Sequence, residues 1–135
     1  MKTAVRYYTK NGGTQRLAET IAKAVNAEAR TTSEPLEAPV DVLFLGASVY
    51  GGKPNPEVTR FIQRNGDKIG RIVVFSTSAS GKSTHGSILA TAAEASVKCS
   101  EVYYHCPGAF MFLHKGRPND KDCAAAAAFA QAQIQ

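Results

Sequence analysis

The chain has 135 residues, 44% hydrophobic and 20% charged, which suits a single domain over 1–135 and excludes a disordered polyelectrolyte. Its net charge of +5 favours anionic ligands or partners, but Lys and Arg are spread along the chain with no basic block or aromatic platform, which argues against nucleic acid. No run approaches the about 18 apolar residues of a membrane span, Arg6 interrupts what would be a signal-peptide core, and Cys99, Cys106 and Cys123 form no CxxC, so they read as reduced thiols of a cytoplasmic protein rather than as disulfides or zinc ligands.

A first apolar β-type segment covers 3–8, followed by a helix over 14–27 with Leu17, Ile21 and Val25 at i, i+4 and i+8. A weak edge strand is expected at 29–32 and a stronger one, D-V-L-F-L-G-A, at 41–47. Residues 56–65 read as a helix with Val58, Phe61 and Ile62 on one stripe, Pro56 in the first turn and Gly66 as its stop. A strand over 71–76, a helix over 86–98 and a strand over 101–105 come next. The last helix spans 119–134, capped by Asn119 or Asp120, with the run Ala124 to Ala128 in its interior. Near-continuous Val, Ile, Leu and Phe suit strands buried on both faces, hence a parallel sheet. The alternation predicts a doubly wound α/β sandwich, whose ligands bind beyond the carboxyl ends of the strands. That places function in the loops 9–14, 48–55, 77–84 and 106–117.

Between the first strand and first helix lies Tyr8-Thr9-Lys10-Asn11-Gly12-Gly13-Thr14. Two glycines bracketed by hydroxyls let backbone N–H groups approach an anion at a helix N-terminus. The same residues also suit a tight turn with Thr14 as an ordinary N-cap, and composition leaves both readings open. Gly81-Lys82-Ser83 is not a P-loop, because the Gly required five residues earlier is Ser76. His85, His105 and His114 lack metal-ligand spacing. His85 is expected near a helix start and His105 in or beside a strand, while His114 with Lys115 and Arg117 reads as a basic rim or a solvated loop. Cys106 reads as an inert thiol, and no nucleophile triad or acid–base pair is present, so no catalytic residue is assigned.

The segment V-R-Y-Y-T-K-N-G-G-T-Q-R-L-A-E-T-I resembles the flavodoxin signature through Tyr7, Thr9, Gly12, Thr14 and Ala18. Arg6 departs from it, standing where an apolar strand residue is usual, which implies an exposed side of the strand or a snorkelling guanidinium. Leu45-Gly46-Ala47-Ser48-Val49-Tyr50-Gly51-Gly52, Phe75-Ser76-Thr77-Ser78-Ala79 and the stretch from Cys106-Pro107-Gly108 to Lys115-Gly116-Arg117-Pro118-Asn119 resemble later flavodoxin segments in the same order.

The resemblance implies a flavodoxin-like, doubly wound, five-stranded parallel sheet of order 2-1-3-4-5 with helices on both faces, and FMN as cofactor. It assigns Thr9, Lys10, Asn11, Gly12, Gly13 and Thr14 to the phosphate. Ser48, Val49, Tyr50, Gly51 and Gly52 go to one side of the flavin ring, and Thr77, Ser78, Ala79 and Gly81 to the other. Tyr50 would stack on the ring or stand as a half-buried surface tyrosine. Gly51 and Gly52 fall where a peptide turns over on flavin reduction, or merely form a tight loop before Pro54 and Pro56. The implied function is a monomeric electron carrier between redox partner proteins, a reductase and an acceptor oxidoreductase. Alternatives on this scaffold are a quinone or FMN reductase, a protoporphyrinogen dehydrogenase-like enzyme and a flavin-free interaction domain. Most flavodoxins are acidic, so this basic chain is expected to meet a different partner surface.

Overall fold

The computed structural model describes residues 1–8, 13–48, 56–78, 83–107 and 116–135, with the backbone alone described at Ser48 and Ser78. Among these residues the strands are β1 (Thr3–Tyr8), β2 (Ala29–Thr31), β3 (Val40–Ser48), β4 (Ile69–Ser78) and β5 (Tyr104–Pro107). All pair in parallel in the order β2-β1-β3-β4-β5, as the resemblance implied. The helices are α1 (Gly13–Ala24), α2 (Pro56–Asn65), α3 (His85–Glu94) and α4 (Asp120–Gln133). None is long and apolar enough to cross a membrane.

Successive side chains of a strand point to opposite faces, and here both faces are buried. Val5, Val42, Phe44, Val73 and Phe75 pack under Leu17, Ile21 and Ala22 of α1 and Ala126 and Ala130 of α4. Leu43, Leu45, Ile72 and Val74 pack under Val58, Phe61 and Ile62 of α2 and Ile88 and Ala92 of α3. On the first face Gly46 makes room for Phe75, its partner in register on β4.

Four expectations are corrected. The first and third helices end at Ala24 and Glu94, short of 27 and 98, because Asn26 (φ 58°) and Ser96 (φ 59°) take left-handed backbone. In both, the next residue donates back into the helix: Ala27 N–H to Ala22 O and Val97 N–H to Ala92 O, each at 2.8 Å. This ending usually carries glycine, so its signal is missing from the sequence. Gly66 does not stop α2 in that way either; it opens a 3-10 turn, Gly66–Lys68. The last strand begins at Tyr104 rather than at 101. The chain first touches β4 at Cys99 opposite Ile72, then rejoins it at Tyr104 opposite Phe75. Two more residues lie on this chain than on β4 between those points, so Val102 and Tyr103 bulge out and stand 53% and 43% exposed.

Arg6 is neither on an exposed side nor snorkelling: it is 6% exposed. Its guanidinium donates to the carbonyls of Glu34 (2.9 Å), Val5 (3.1 Å) and Pro35 (3.2 Å). Burial, then repulsion from Arg30, lowers its pKa from the ordinary arginine value. The Asn65 side chain accepts from Leu36 N–H (3.0 Å) and Lys68 donates to Leu36 O (3.0 Å), so three side chains hold the 34–36 stretch of the helix-free connection between β2 and β3.

Candidate functional site

In this strand order the chain leaves β1 toward β2 on one side and returns to β3 on the other. The crevice at the carboxyl ends of β1 and β3 is therefore the switch point where such sheets take ligands. Of the residues assigned to the site by resemblance, Gly13, Thr14 and Thr77 are fully described, and Ser48 and Ser78 by their backbone. Thr9, Lys10, Asn11, Gly12, Val49, Tyr50, Gly51, Gly52, Ala79 and Gly81 lie outside the described residues, as does His114.

Gly13 is the first residue of α1 and Thr14 the second. Thr14 is thus inside the helix and is not its N-cap. Its hydroxyl lies 2.9 Å from that of Thr77 at the carboxyl end of β4. The pair is buried, at 0% and 2% exposure. Thr77 points this way because it follows Val73 and Phe75 on the α1 face of β4. In register, Thr77 also stands beside Ser48 of β3, so two of the assigned segments meet there. The helix start carries no acidic residue, whereas α2 opens with Glu57 and α4 with Asp120 and Asp122. Its partial positive charge is therefore not offset by a first-turn carboxylate.

A second wall comes from the segment before α4, which the sequence did not bring to α1. The Cδ of Pro118 lies 3.4 Å from where a Cβ on Gly13 would stand. Arg16 donates to Pro118 O and pairs with Asp120 at 2.6 Å. Arg117 grips both oxygens of Asp122, at 2.6 and 2.8 Å. Asp122 and Asn119 form a reciprocal capping box, so Asn119 is the cap of the two residues considered. The Arg117 hydrogen bond holds the Asp122 carboxyl below its ordinary value. No sequence signal links Arg16 to Pro118 and Asp120; only the packing of α4 on α1 does.

On the opposite face Ser76 Oγ lies 2.7 Å from His105 Nδ1 and donates to Ser83 Oγ at 3.3 Å. Burial lowers the His105 pKa. His85 opens α3, its Nε2 2.8 Å from Ser100 O and its ring stacked on Tyr103 at 4.4 Å. His85 and His105 therefore stand where the sequence put them, at a helix start and in a strand. Burial pushes the Cys106 thiol up to about 12 and the Cys99 thiol up to about 11, so both are protonated at neutral pH.

No curated protein matches this sequence. Among solved structures, a flavodoxin from the domain Archaea superposes with a TM-score of 0.77 at 14% identity, over 98% of this chain and 95% of that one. Flavodoxin 2 from Bacillus cereus gives 0.70 at 17% identity, over the full length of both chains. Rubredoxin oxygen:oxidoreductase from Desulfovibrio gigas gives 0.71 at 13% identity, over 96% of this chain and 34% of that one. These likenesses establish the fold they share with this chain. In sequence, the family model described as a flavodoxin domain matches residues 4–99, most of the chain. Together with the strand order and the loop ahead of Thr14, that match means the chain belongs to the flavodoxin domain family.

Proposed function

We propose that this chain is an FMN-binding electron carrier that works as a single-domain monomer in the cytoplasm between a reductase and an acceptor oxidoreductase. The observation that carries the reading is the start of α1. The buried Thr14 and Thr77 hydroxyls, 2.9 Å apart, bring the carboxyl end of β4 against this helix start, whose first turn carries no acidic residue. An anion is the natural partner for the N–H groups and partial positive charge of a helix start. A phosphate suits the donors that the sequence supplies over 9–14: backbone N–H groups, the hydroxyls of Thr9 and Thr14, and Lys10. No G-x-G-x-x-G fingerprint accompanies it, which favours FMN over a dinucleotide.

Bound FMN would supply the electron-accepting ring; the protein's own task is to hold it. Thr9, Lys10, Asn11, Gly12, Gly13 and Thr14 would hold the phosphate. Ser48, Val49, Tyr50, Gly51 and Gly52 on one side, and Ser78, Ala79 and Gly81 on the other, would flank the ring. The three thiols, free of disulfides, suit a reducing compartment.

Charge supports an acidic partner surface. The segments after β1, β3, β4 and β5 carry Lys10, Lys53, Lys82 and Lys115 and no Asp or Glu before the next described residue. The carboxylates that open α2 and α4 already have arginines: Glu57 pairs with Arg60, Asp120 with Arg16 and Asp122 with Arg117.

The test is electron relay. With FMN and a flavodoxin reductase present, the protein should pass electrons to an acceptor protein, more slowly as salt rises, without turning over quinones itself. Rapid quinone turnover without an acceptor protein would favour the reductase alternative.

A further inference from the structure

We propose that a cavity at the amino-terminal end of the sheet, opposite the candidate site, binds a small organic carboxylate between Arg6 and Arg30. The cavity measures about 500 Å³ and is lined from Lys2 to Arg6 on β1, from Val25 to Arg30 after α1, and by the chain from Leu36 to Val40 that leads into β3. Crossovers between parallel strands usually take about a dozen residues and a helix. The stretch 32–39 between β2 and β3 carries no helix, and the cavity lies beside it.

Arg6 and Arg30 both line the cavity and stand side by side in register on β1 and β2. Like charges so placed repel, and a buried charge is costly unless it is paired. Arg6 is 6% exposed, forms no ion pair among the described residues, and donates to the neutral carbonyls of Val5, Glu34 and Pro35. Each terminal nitrogen of a guanidinium carries two N–H groups. One on Nη1 and one on Nη2 of Arg6 therefore have no protein acceptor among the described residues. Arg30 binds Glu28 through Nε and Nη2, which leaves its Nη1 for a ligand. Of the carboxylates in the lining, Glu28 is thus taken, and Glu37 forms no ion pair among the described residues. An anion set between the two guanidiniums offsets their repulsion and accepts the remaining donors, whose planar fork matches a carboxylate. Val25, Leu36, Pro39 and Val40 add apolar surface for a hydrocarbon body, which an inorganic anion lacks.

The experiment titrates hexanoate into the isotope-labelled protein and follows its amide resonances, with hexanol and inorganic phosphate as comparisons. Hexanoate should bind saturably, with shifts centred on 2–6, 25–30 and 36–40. Hexanol, which lacks the charge, and phosphate, which lacks the apolar body, should each bind there at least about tenfold more weakly. Arg30→Gln should weaken hexanoate about tenfold, as the loss of a hydrogen bond to a charged group does. No saturable binding, shifts centred on the start of α1, equal binding of hexanol or phosphate in this cavity, or an unchanged affinity in Arg30→Gln would each overturn the proposal. Should Arg30→Gln fail to fold, Glu37→Gln decides. Removing this like charge from the lining should tighten hexanoate by about twofold or more, and an unchanged or weaker affinity would overturn the site.

Discussion

Phe75 of β4 occupies the space that a side chain on Gly46 of β3 would need: a Cβ there would stand 2.1 Å from Phe75 Cε2. Phe75 is fully buried under α1 and α4 and cannot move away without displacing them. Gly46→Ala should therefore cost about 1–3 kcal/mol, as overpacking does. Gly13→Ala is the control. Its nearest neighbour would be Pro118 Cδ at 3.4 Å, an ordinary contact, so its stability should stay within about 0.5 kcal/mol of wild type. Urea denaturation of the two variants checks the contrast.

Arg6 should prove structural. Arg6→Leu takes the donor from the carbonyls of Glu34 and Pro35 at once, at a cost of about 2–4 kcal/mol. Arg6→Lys should recover little, because one ammonium cannot match a fan of three carbonyls. Hydrogen exchange should show the loss of protection centred on 32–37, with the other end of the sheet unaffected.

Asp122 gives a pH dependence of defined sign. Its carboxyl is held below the ordinary value of 3.8 by Arg117, and the Asn119 N–H adds to this. A carboxyl lowered in the fold stabilises above its unfolded value and loses that contribution as pH falls through the folded one. Asp122→Asn should therefore lower Tm clearly at pH 7 and progressively less below about pH 3.8. Asn119→Ala should cost about 1 kcal/mol through the same cap, without that pH dependence.

Thr84 is 1% exposed and its hydroxyl has no hydrogen-bond partner among the described residues. It precedes α3 with helical backbone, and it is Ser83 that accepts the His85 N–H at 3.0 Å. Thr84→Val keeps the shape and removes the orphaned hydroxyl, so it should leave stability unchanged or raise it by about 1 kcal/mol. Ser83→Ala should lower it. Thermal melts of the two single variants test the assignment.

Among the described residues, periodicity located the four α-helices, and the central strands β1, β3 and β4 stood out because both sheet faces are buried there, giving them near-continuous apolar runs. What it missed depends on contacts remote in sequence. The endings at Asn26 and Ser96 lack the glycine that would have marked them. The outward step at Val102 and Tyr103 is set by register against Ile72 and Phe75, which no local pattern encodes. Arg6 looked like a surface residue because its acceptors are backbone carbonyls, present in any sequence. The loop ahead of Thr14 was legible as an anion site or a capped turn. The contact of Thr14 with Thr77 and the clamp of Arg16 on Pro118 and Asp120 join residues 63 to 104 positions apart along the chain, beyond the reach of any local pattern.

The central claim is that the chain binds FMN through the start of α1. It is tested most directly by titrating purified apoprotein with FMN and FAD, with mass spectrometry of any flavin carried through purification. One FMN per chain, bound in clear preference to FAD, is the predicted result. Retention of FAD, or no flavin bound after reconstitution with FMN, would contradict it.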